Sequence, residues 1–264
     1  MPVHDDLGKR MKCYEKVSRN YLVRRTPVII RIDGKAHHSF TKGLKKPFDN
    51  IYIDAMNDTM LQLCQRIQGC VFGYCQSDEI TLVLQDYATI KTDAWFEYNI
   101  QKLTSISASM ATLYFNKAFD NRIDEYIGYL CLLDDEMKDW VFSQEEKYIK
   151  NIEKKCIEGA LFDARAFNLP KDEVVNCIYW RQLDAIRNSI QMCGHTYFSH
   201  KELENKSCED IKQMLEEIGQ PWENLSFAYQ RGRACYRDEN QKWIIDKHMP
   251  VLKGEERDYL ERLI

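Results

Sequence analysis

A chain of 264 residues with 44% hydrophobic content can bury a sizeable core, as one large domain or two modest ones. No run approaches the roughly 18 apolar residues of a membrane span, and no signal peptide is evident, so we expect a soluble, cytoplasmic protein. Ten cysteines without a CxxC pair and six histidines without zinc spacing argue against a disulfide framework or a zinc site, and favour reduced thiols.

The net charge of −4 hides an uneven distribution along the chain. Residues 1–46 hold twelve Lys and Arg against four acids, a net of +8, so the remainder carries about −12. A localised basic face is what binding to a phosphate backbone requires. The charge therefore leaves a nucleic-acid partner open, alongside an ordinary solvated surface.

The first predicted elements are an amphipathic helix and a buried strand. Apolar positions at helical spacing predict a helix in residues 5–25, which ends in a basic lead-in to Pro27. The β-branched run Val28–Ile32 is typical of a central strand covered on both faces. It ends in Asp33 and Gly34, where a glycine permits a sharp turn or the close approach of a ligand.

A basic loop follows this strand. Residues 35–47 contain four lysines and two histidines. Lysine is a compact charge suited to phosphate oxygens, and loop backbone N–H groups add further donors, so the loop would grip a triphosphate. His37 and His38 are either phosphate or base contacts or structural residues.

A core helix and a β-hairpin come next. Asp49 is a candidate N-cap for a helix that stops near Gly69. Residues 70–84 then read as an apolar run, a polar turn and a second apolar run, which predicts a hairpin that presents Asp78 and Glu79 just past its tip.

Two strand ends therefore carry carboxylates. If the strands are neighbours, Asp33 and Asp78 converge. Buried carboxylates cost desolvation unless a cation or donors receive them. Two of them with a backbone carbonyl can hold two Mg²⁺ ions about 3.5–4 Å apart, an arrangement that serves phosphoryl transfer. A solvated turn is the alternative interpretation of Ser77-Asp78-Glu79 taken alone.

The remaining elements complete the fold prediction. A long helix opens at Thr92 or Asp93 and carries Lys102, which is either solvated or faces a nucleotide. The acidic segment 120–158 is interpreted as an irregular insertion or a helical connection, and residues 159–170 as a strand. The order β-α-β-β-α-β predicts an α+β, ferredoxin-like palm with an antiparallel sheet, a frame that nucleotidyl-transferring domains use.

The C-terminal part is predicted to be mainly helical. We expect a palm-like catalytic domain at 1–135, with its sheet completed by a strand near 160–169, and a helical part at 136–264. Residues 230–237 form a basic turn. A helix from Asp172 presents four polar or aromatic side chains on one face: Trp180, Asp184, Arg187 and Asn188.

Five short motifs carry a family resemblance. They are Arg31-Ile32-Asp33-Gly34-Lys35, Lys46-Pro47-Phe48-Asp49, Gln76-Ser77-Asp78-Glu79, Phe162-Asp163-Ala164-Arg165 and Trp180-Arg181-Gln182. In this order, over about residues 5–240, the chain resembles tRNA-histidine guanylyltransferases, and more closely their bacterial and phage relatives, the 3′-to-5′ polymerases. The resemblance implies a palm-like domain, two Mg²⁺ ions, ATP, GTP and other NTPs as nucleotides, addition to the 5′ end of tRNA, and a homotetramer.

The resemblance also implies roles for individual residues. Asp33, the Gly34 carbonyl and Asp78 match the metal ligands, and Glu79 matches a supporting catalytic carboxylate. Arg165 and the face bearing Asp184 and Asn188 match the outer wall of the same site. The implied nucleotide-binding residues are Asp33, Gly34, Lys35, Ala36, His37, His38, Lys46, Ser77, Asp78 and Lys102.

The implied chemistry is activation of the RNA 5′ phosphate by ATP or GTP, followed by attack of the 3′-hydroxyl of an incoming NTP. One departure concerns the substrate. Family members that add guanosine to tRNA-histidine continue with a His-Ile-Asn-Asn-like stretch, where this chain has residues 186–190, Ile-Arg-Asn-Ser-Ile. We therefore favour templated repair of 5′-truncated tRNA over guanosine addition to tRNA-histidine. A nucleotide cyclase or dinucleotide synthase and a non-catalytic RNA-binding module are the other hypotheses.

Overall fold

The structure is a computed structural model that describes residues 3–264. Its strands are β1 (Val28–Gly34), β2 (Cys70–Gln76), β3 (Glu79–Leu84), β4 (Phe162–Asn168), β5 (Arg233–Arg237) and β6 (Trp243–Asp246). Its α-helices are α1 (Val3–Val17), α2 (His37–Phe40), α3 (Asn50–Arg66), α4 (Ile100–Cys131), α5 (Asp135–Glu158), α6 (Lys171–Tyr197), α7 (His200–Leu203), α8 (Cys208–Glu217), α9 (Phe227–Arg231) and α10 (Asp258–Glu261).

All strands join one antiparallel sheet in the order β4-β1-β3-β2-β5-β6. The first four strands in that order form the predicted ferredoxin-like arrangement, and β1 lies between two neighbours as its apolar sequence indicates. The prediction of a basic turn at 230–237 is wrong, because Arg233–Arg237 forms β5 and pairs with β2. The C-terminal part thus adds two strands to the palm sheet, while the division at residue 135 stays a prediction.

The core lies on both faces of the sheet. Val28, Ile30 and Ile32 of β1 pack with residues of α3 and α4, whereas Ile29 packs with Val174 and other residues of α6 on the opposite face. All four β1 side chains are fully buried. Burial of an aliphatic side chain contributes about 1.5–3 kcal/mol, so β1 anchors the sheet and fixes the position of the residues at its end.

Helix α4 begins later than the sequence predicts. The expected start at Thr92 or Asp93 is wrong, because the helix begins at Ile100 and is capped by the Asn99 side chain. A short 3₁₀ turn precedes it. Hydrogen bonds from the Leu22 N–H to the carbonyl just before Asn99, and from the Ile100 N–H to the Asn20 carbonyl, hold this segment against the chain entering β1.

The acidic segment 120–158 is a helical connection and not an irregular insertion, which decides between the two interpretations of its sequence. Helix α4 continues to Cys131, and α5 returns toward the sheet. The Asn116 side chain then accepts a hydrogen bond from the Ala160 N–H at 2.7 Å and donates to its carbonyl at 3.0 Å, which guides the chain into β4. Among residues 3–264, no helix combines the length and apolar character required to cross a membrane.

Candidate active site

The ends of β1 and β3 bring the two predicted metal carboxylates together. The Gly34 N–H donates to the Asp78 carbonyl at 3.1 Å. Asp78 follows Ser77 in the tight turn between β2 and β3, where Ser77 adopts a left-handed φ of 48°. Asp33 is the register partner of Glu79 on one side and of Asp163 on the other. Four acidic residues therefore meet at one end of the sheet.

Asp33 and Asp78 differ from Glu79 and Asp163 in their ion pairing. Burial and then the neighbouring charges of Asp78 and Asp163 raise the pKa of Asp33. Burial also raises the pKa of Asp78, although the Ser77 hydroxyl opposes that shift. The nearby guanidiniums bind elsewhere, since Arg165 lies 3.5 Å from Asp163 and Arg181 lies 2.7 Å from Glu79. In the described range of 3–264, neither Asp33 nor Asp78 has an ion-pair partner.

The donor set fits a hard cation. Both carboxylates and the Gly34 carbonyl offer oxygen atoms, which Mg²⁺ prefers. The described residues contain no group of three or more His, Cys, Asp or Glu side chains arranged around a metal. Such an incomplete protein shell suits Mg²⁺, which usually keeps waters and takes substrate phosphates as its remaining ligands.

Glu79 belongs to a buried ionic network. Its carboxylate accepts from the Arg181 Nε at 2.7 Å and from the Thr81 hydroxyl at 3.3 Å. The other side of the Arg181 guanidinium donates to Asp184 at 2.7 Å, and Arg187 also binds Asp184 at 2.9 Å. Burial raises the pKa of Glu79, and Arg181 opposes that rise. This network ties α6 to β3 directly beside the carboxylate pair.

A cavity of about 350 Å³ lies next to the turn that carries Asp78. Its walls come from the basic loop, the start of α3, the hairpin turn, α6 and the segment leading into β5. Phe48 and Tyr229 stack in its wall with their ring centroids 4.6 Å apart. The polar residues that border it include His38, Lys42, Lys45, Lys46, Asp49, Ser77, Asn188 and Arg233.

The basic loop contributes unequally to this cavity. His38 and Lys46 border it, as does Ser77 from the hairpin. Lys35 and Ala36 form the turn between β1 and α2, where the Lys35 N–H donates to the Leu161 carbonyl at 2.8 Å. Lys45 also lines the cavity, although its Nζ binds Glu145 of α5 at 3.0 Å.

The His37 side chain lies inside the protein and not in the cavity wall, so its predicted nucleotide contact stays a prediction. Its ring is 2% exposed and packs against Phe40, Phe115 and Phe162. Its Nδ1 lies 2.8 Å from the Tyr52 hydroxyl. Burial lowers the pKa of His37 to about 4, so the ring is neutral near pH 7. The ring also explains the glycine before it, because a Cβ at Gly34 would lie 2.3 Å from the His37 ring.

Lys102 lies far from the carboxylate end of its own chain, and its predicted contact with a nucleotide stays a prediction. Lys102 lies in the first turn of α4, with its Nζ 5.4 Å from the Phe96 ring. Phe115 of the same helix contacts His37 at the carboxylate end. Thirteen residues of helix separate Lys102 from Phe115, roughly 20 Å. Lys102 therefore lies at the opposite end of the sheet.

Two arginines were not assigned to the site from the sequence. Arg181 was noted only within a motif, although it continues the buried helical stripe of Val174 and Ile178 at spacing i, i+4, i+7. Arg233 was placed in the basic turn, but it is buried in β5 and borders the cavity. Helical periodicity was a signal for Arg181, whereas only the pairing of β5 with β2 shows the position of Arg233.

Known proteins resemble this chain over most of its length. Residues 8–170 match the family model described as tRNAHis guanylyltransferase (Thg1). A bacterial tRNAHis guanylyltransferase-like protein in complex with ATP has a TM-score of 0.80 and 36% identity, covering 98% of this chain and 99% of that chain. A bacterial protein of the same description in complex with GTP has a TM-score of 0.73 and 34% identity, covering 97% and 98%.

A curated relative extends the likeness to eukaryotes. The probable tRNA(His) guanylyltransferase of Dictyostelium discoideum is 25% identical over 256 residues, which cover 92% of this chain and 86% of that protein. The motifs at Asp33 and Asp78 lie inside the segment that the family model matches. The chain belongs to the tRNAHis guanylyltransferase family of nucleotidyltransferases.

Proposed function

We propose that this protein adds nucleotides in the 3′-to-5′ direction to the 5′ end of tRNA, and that it repairs 5′-truncated tRNAs with the opposite strand as template. The observation that carries the proposal is the pair Asp33 and Asp78, two part-buried carboxylates without a cationic partner among residues 3–264, beside a nucleotide-sized cavity. The bacterial relatives in complex with ATP and with GTP support nucleoside triphosphates as ligands of that cavity.

Two Mg²⁺ ions are the proposed cofactors, held by Asp33, the Gly34 carbonyl and Asp78. When bound, they would lower the pKa of an attacking hydroxyl and neutralise a leaving oxygen. The absence of an ion-pair partner for either carboxylate within residues 3–264 supports this assignment, because the buried acids Glu79 and Asp86 each bind a guanidinium.

The chain itself supplies binding and orientation. His38, Lys46 and Ser77 border the cavity and are the proposed contacts to the nucleotide, with the backbone of Lys35 and Ala36 beside them. Glu79 acts through position rather than proton transfer, because Arg181 already binds its carboxylate. Fixing reacting groups in this way lowers the entropic part of a barrier.

The RNA side of the proposal rests on charge and surface. The chain has a net charge of +8 over residues 1–46. Beside Asp33, Arg31 lies over the half-exposed ring of Trp180 at 5.6 Å. We propose that these groups, Arg165 and the C-terminal part contact tRNA, that a homotetramer binds the tRNA across subunits, and that the protein acts in the cytoplasm, where its ten free thiols stay reduced.

The test is incubation of the protein and Mg²⁺ with a 5′-monophosphorylated tRNA that lacks its first nucleotide, with all four triphosphates. Products are resolved by length and terminal base. We expect one added nucleotide complementary to the acceptor strand, and a change of that template base should change the added base. A full-length tRNA with a paired 5′ end is the matched control and should not be extended.

Other outcomes would identify the competing hypotheses. Addition of guanosine to full-length tRNA-histidine alone would mean that the protein is a dedicated guanylyltransferase. Cyclic or dinucleotide products from ATP or GTP without RNA would mean a small-molecule enzyme on the same palm. Tight tRNA binding with no covalent product would mean a non-catalytic binding module.

A further inference from the structure

Arg233 of β5 is a buried cation whose hydrogen-bond partners are uncharged. The residue is 4% exposed, and its Nε donates to the Asn57 amide oxygen at 2.8 Å. Its Nη2 donates to the Cys75 sulfur at 3.3 Å. Burial raises the pKa of the Cys75 thiol, so this partner is neutral. Within residues 3–264, no Asp or Glu lies within ion-pair distance of Arg233.

Arg181 shows how this fold otherwise treats a buried guanidinium. It is buried to a similar degree, yet it binds Glu79 on one side and Asp184 on the other, each at 2.7 Å. An unpaired buried charge is destabilising, and an apolar residue of similar volume often serves the fold better. The contrast indicates that the counter-charge of Arg233 is an anion of a bound ligand, because the described protein residues do not supply one.

The surroundings of Arg233 indicate where that anion binds. Arg233 borders the cavity together with Lys46 and Ser77. It is the register partner of Cys75, which precedes Ser77 by two residues in the hairpin. Arg233 therefore lies beside the residues that lead directly into the turn that carries Ser77 and Asp78, and it lines the same cavity as Ser77.

We propose that Arg233 binds a phosphate group of the ligand in this cavity, an assignment that rests on the proposed nucleotide chemistry and extends it to a residue outside the segment matched by the family model. A neutral nucleobase alone would leave the buried charge uncompensated. A phosphate neutralises it, and its oxygens match the planar guanidinium fork in a bidentate geometry. The phosphate comes either from a nucleoside triphosphate or from the 5′ end of the RNA.

The test compares Arg233→Met with Arg237→Met, a control on the same strand whose side chain is exposed. Binding of ATP and of adenosine is measured by calorimetry for each protein. For Arg233→Met we expect ATP to bind about 10–100-fold more weakly, as for a lost charged hydrogen bond, and adenosine to bind as in the wild type. Arg237→Met should change neither. Equal losses for ATP and adenosine would overturn the proposal.

Two further arms identify the source of the phosphate and control for folding. Binding of 5′-phosphorylated and of 5′-hydroxyl tRNA is compared for the same variant. If Arg233→Met binds ATP normally but no longer distinguishes the two tRNAs, the phosphate belongs to the RNA. If neither ATP binding nor this distinction changes, the proposal is overturned. Ligand-free Arg233→Met should melt about 2 °C or more above the wild type, because an unpaired charge is removed. If the wild type binds ATP through Arg233 yet extends no tRNA, the phosphate site stands and the proposed function fails.

Discussion

The two ends of strands β1 and β3 carry acids that differ in their ion pairing. At one end, Asp86 is fully buried and accepts from the Arg24 Nε at 2.6 Å and from the Arg25 N–H at 2.7 Å. At the other end, Asp33 and Asp78 have no cationic partner among residues 3–264, and burial raises the pKa of both. Asp86 thus receives its counter-charge from within the protein, whereas the proposed metal ligands Asp33 and Asp78 would receive theirs from bound cations.

The largest expected effect comes from neutralising the carboxylate pair. Asp78→Asn should reduce nucleotide addition at least about 1000-fold, since electrostatic stabilisation of this kind is worth several kcal/mol. A carboxyl with a raised pKa stabilises the fold below its unfolded pKa and loses that contribution as pH rises through the folded pKa. The same variant should therefore melt higher than the wild type in EDTA at pH 7, by about 2 °C.

Single-turnover assays and thermal unfolding with and without Mg²⁺ measure both halves of this prediction. Asp33→Asn should behave alike. Addition near the wild-type rate by either variant would contradict the metal assignment. A lower melting temperature in EDTA would show instead that the carboxylates stabilise the ligand-free fold.

At the other end of the strands, Asp86→Asn should do the reverse. Removing one partner of a buried pair typically costs 3–5 kcal/mol, and partial exposure of Arg24 reduces the expected cost to about 2 kcal/mol. The melting temperature should then fall by about 4–8 °C. Activity per folded molecule at 20 °C should stay within about twofold of the wild type. A loss of activity without a loss of stability would mean that Asp86 is not a purely structural carboxylate.

The network at Glu79 lies between these two cases, because it is an ion pair directly beside Asp33 and Asp78. Arg181→Met leaves the buried Glu79 carboxylate without its partner, and we expect a loss of about 2 kcal/mol in stability and about 10-fold in activity. The double variant Glu79→Gln with Arg181→Met should recover stability but not activity. Arg187→Met, which removes an exposed partner of Asp184, should cost less than about 0.5 kcal/mol.

A double-mutant cycle separates these contributions. If Glu79→Gln and Arg181→Met destabilise additively, the 2.7 Å contact is not an energetic pair. If the double variant also recovers nucleotide addition, Glu79 has no positioning role in catalysis.

The sequence was sufficient for the carboxylate end and insufficient for the residues around it. Short-range patterns, an apolar strand ending in Asp33-Gly34 and a hairpin turn at Asp78, predicted both acids and their convergence. The nucleotide contacts predicted for His37 and Lys102 depend on residue type alone, whereas the positions of both side chains depend on packing. The ring of His37 fills space over Gly34 in an aromatic cluster, and the late start of α4 depends on backbone bonds to residues 20–22.

The part of the site formed by the C-terminal strands could not be inferred from local sequence. Strand β5 pairs with β2 across about 160 residues of chain, and only that pairing brings Arg233 to Cys75. A run of basic and aromatic residues at 230–237 is equally compatible with a solvated turn. Long-range strand pairing decided its position, which periodicity does not report.

The smallest expected effect distinguishes the two histidines at the carboxylate end. His38→Ala removes a side chain at the cavity and should weaken ATP binding about fivefold, whereas His37→Phe should leave ATP binding unchanged.

At pH 7, His37→Phe keeps the aromatic packing but loses the Tyr52 contact, a cost of about 1 kcal/mol in stability. Because burial lowers the pKa of His37 to about 4, its contribution is present above pH 6.5 and is lost as pH falls toward 4. Urea unfolding from pH 7 to pH 4.5 should accordingly show a steeper loss of stability for the wild type than for His37→Phe. Parallel profiles would mean that His37 accepts a proton in the folded protein, and it would then return as a candidate ligand contact.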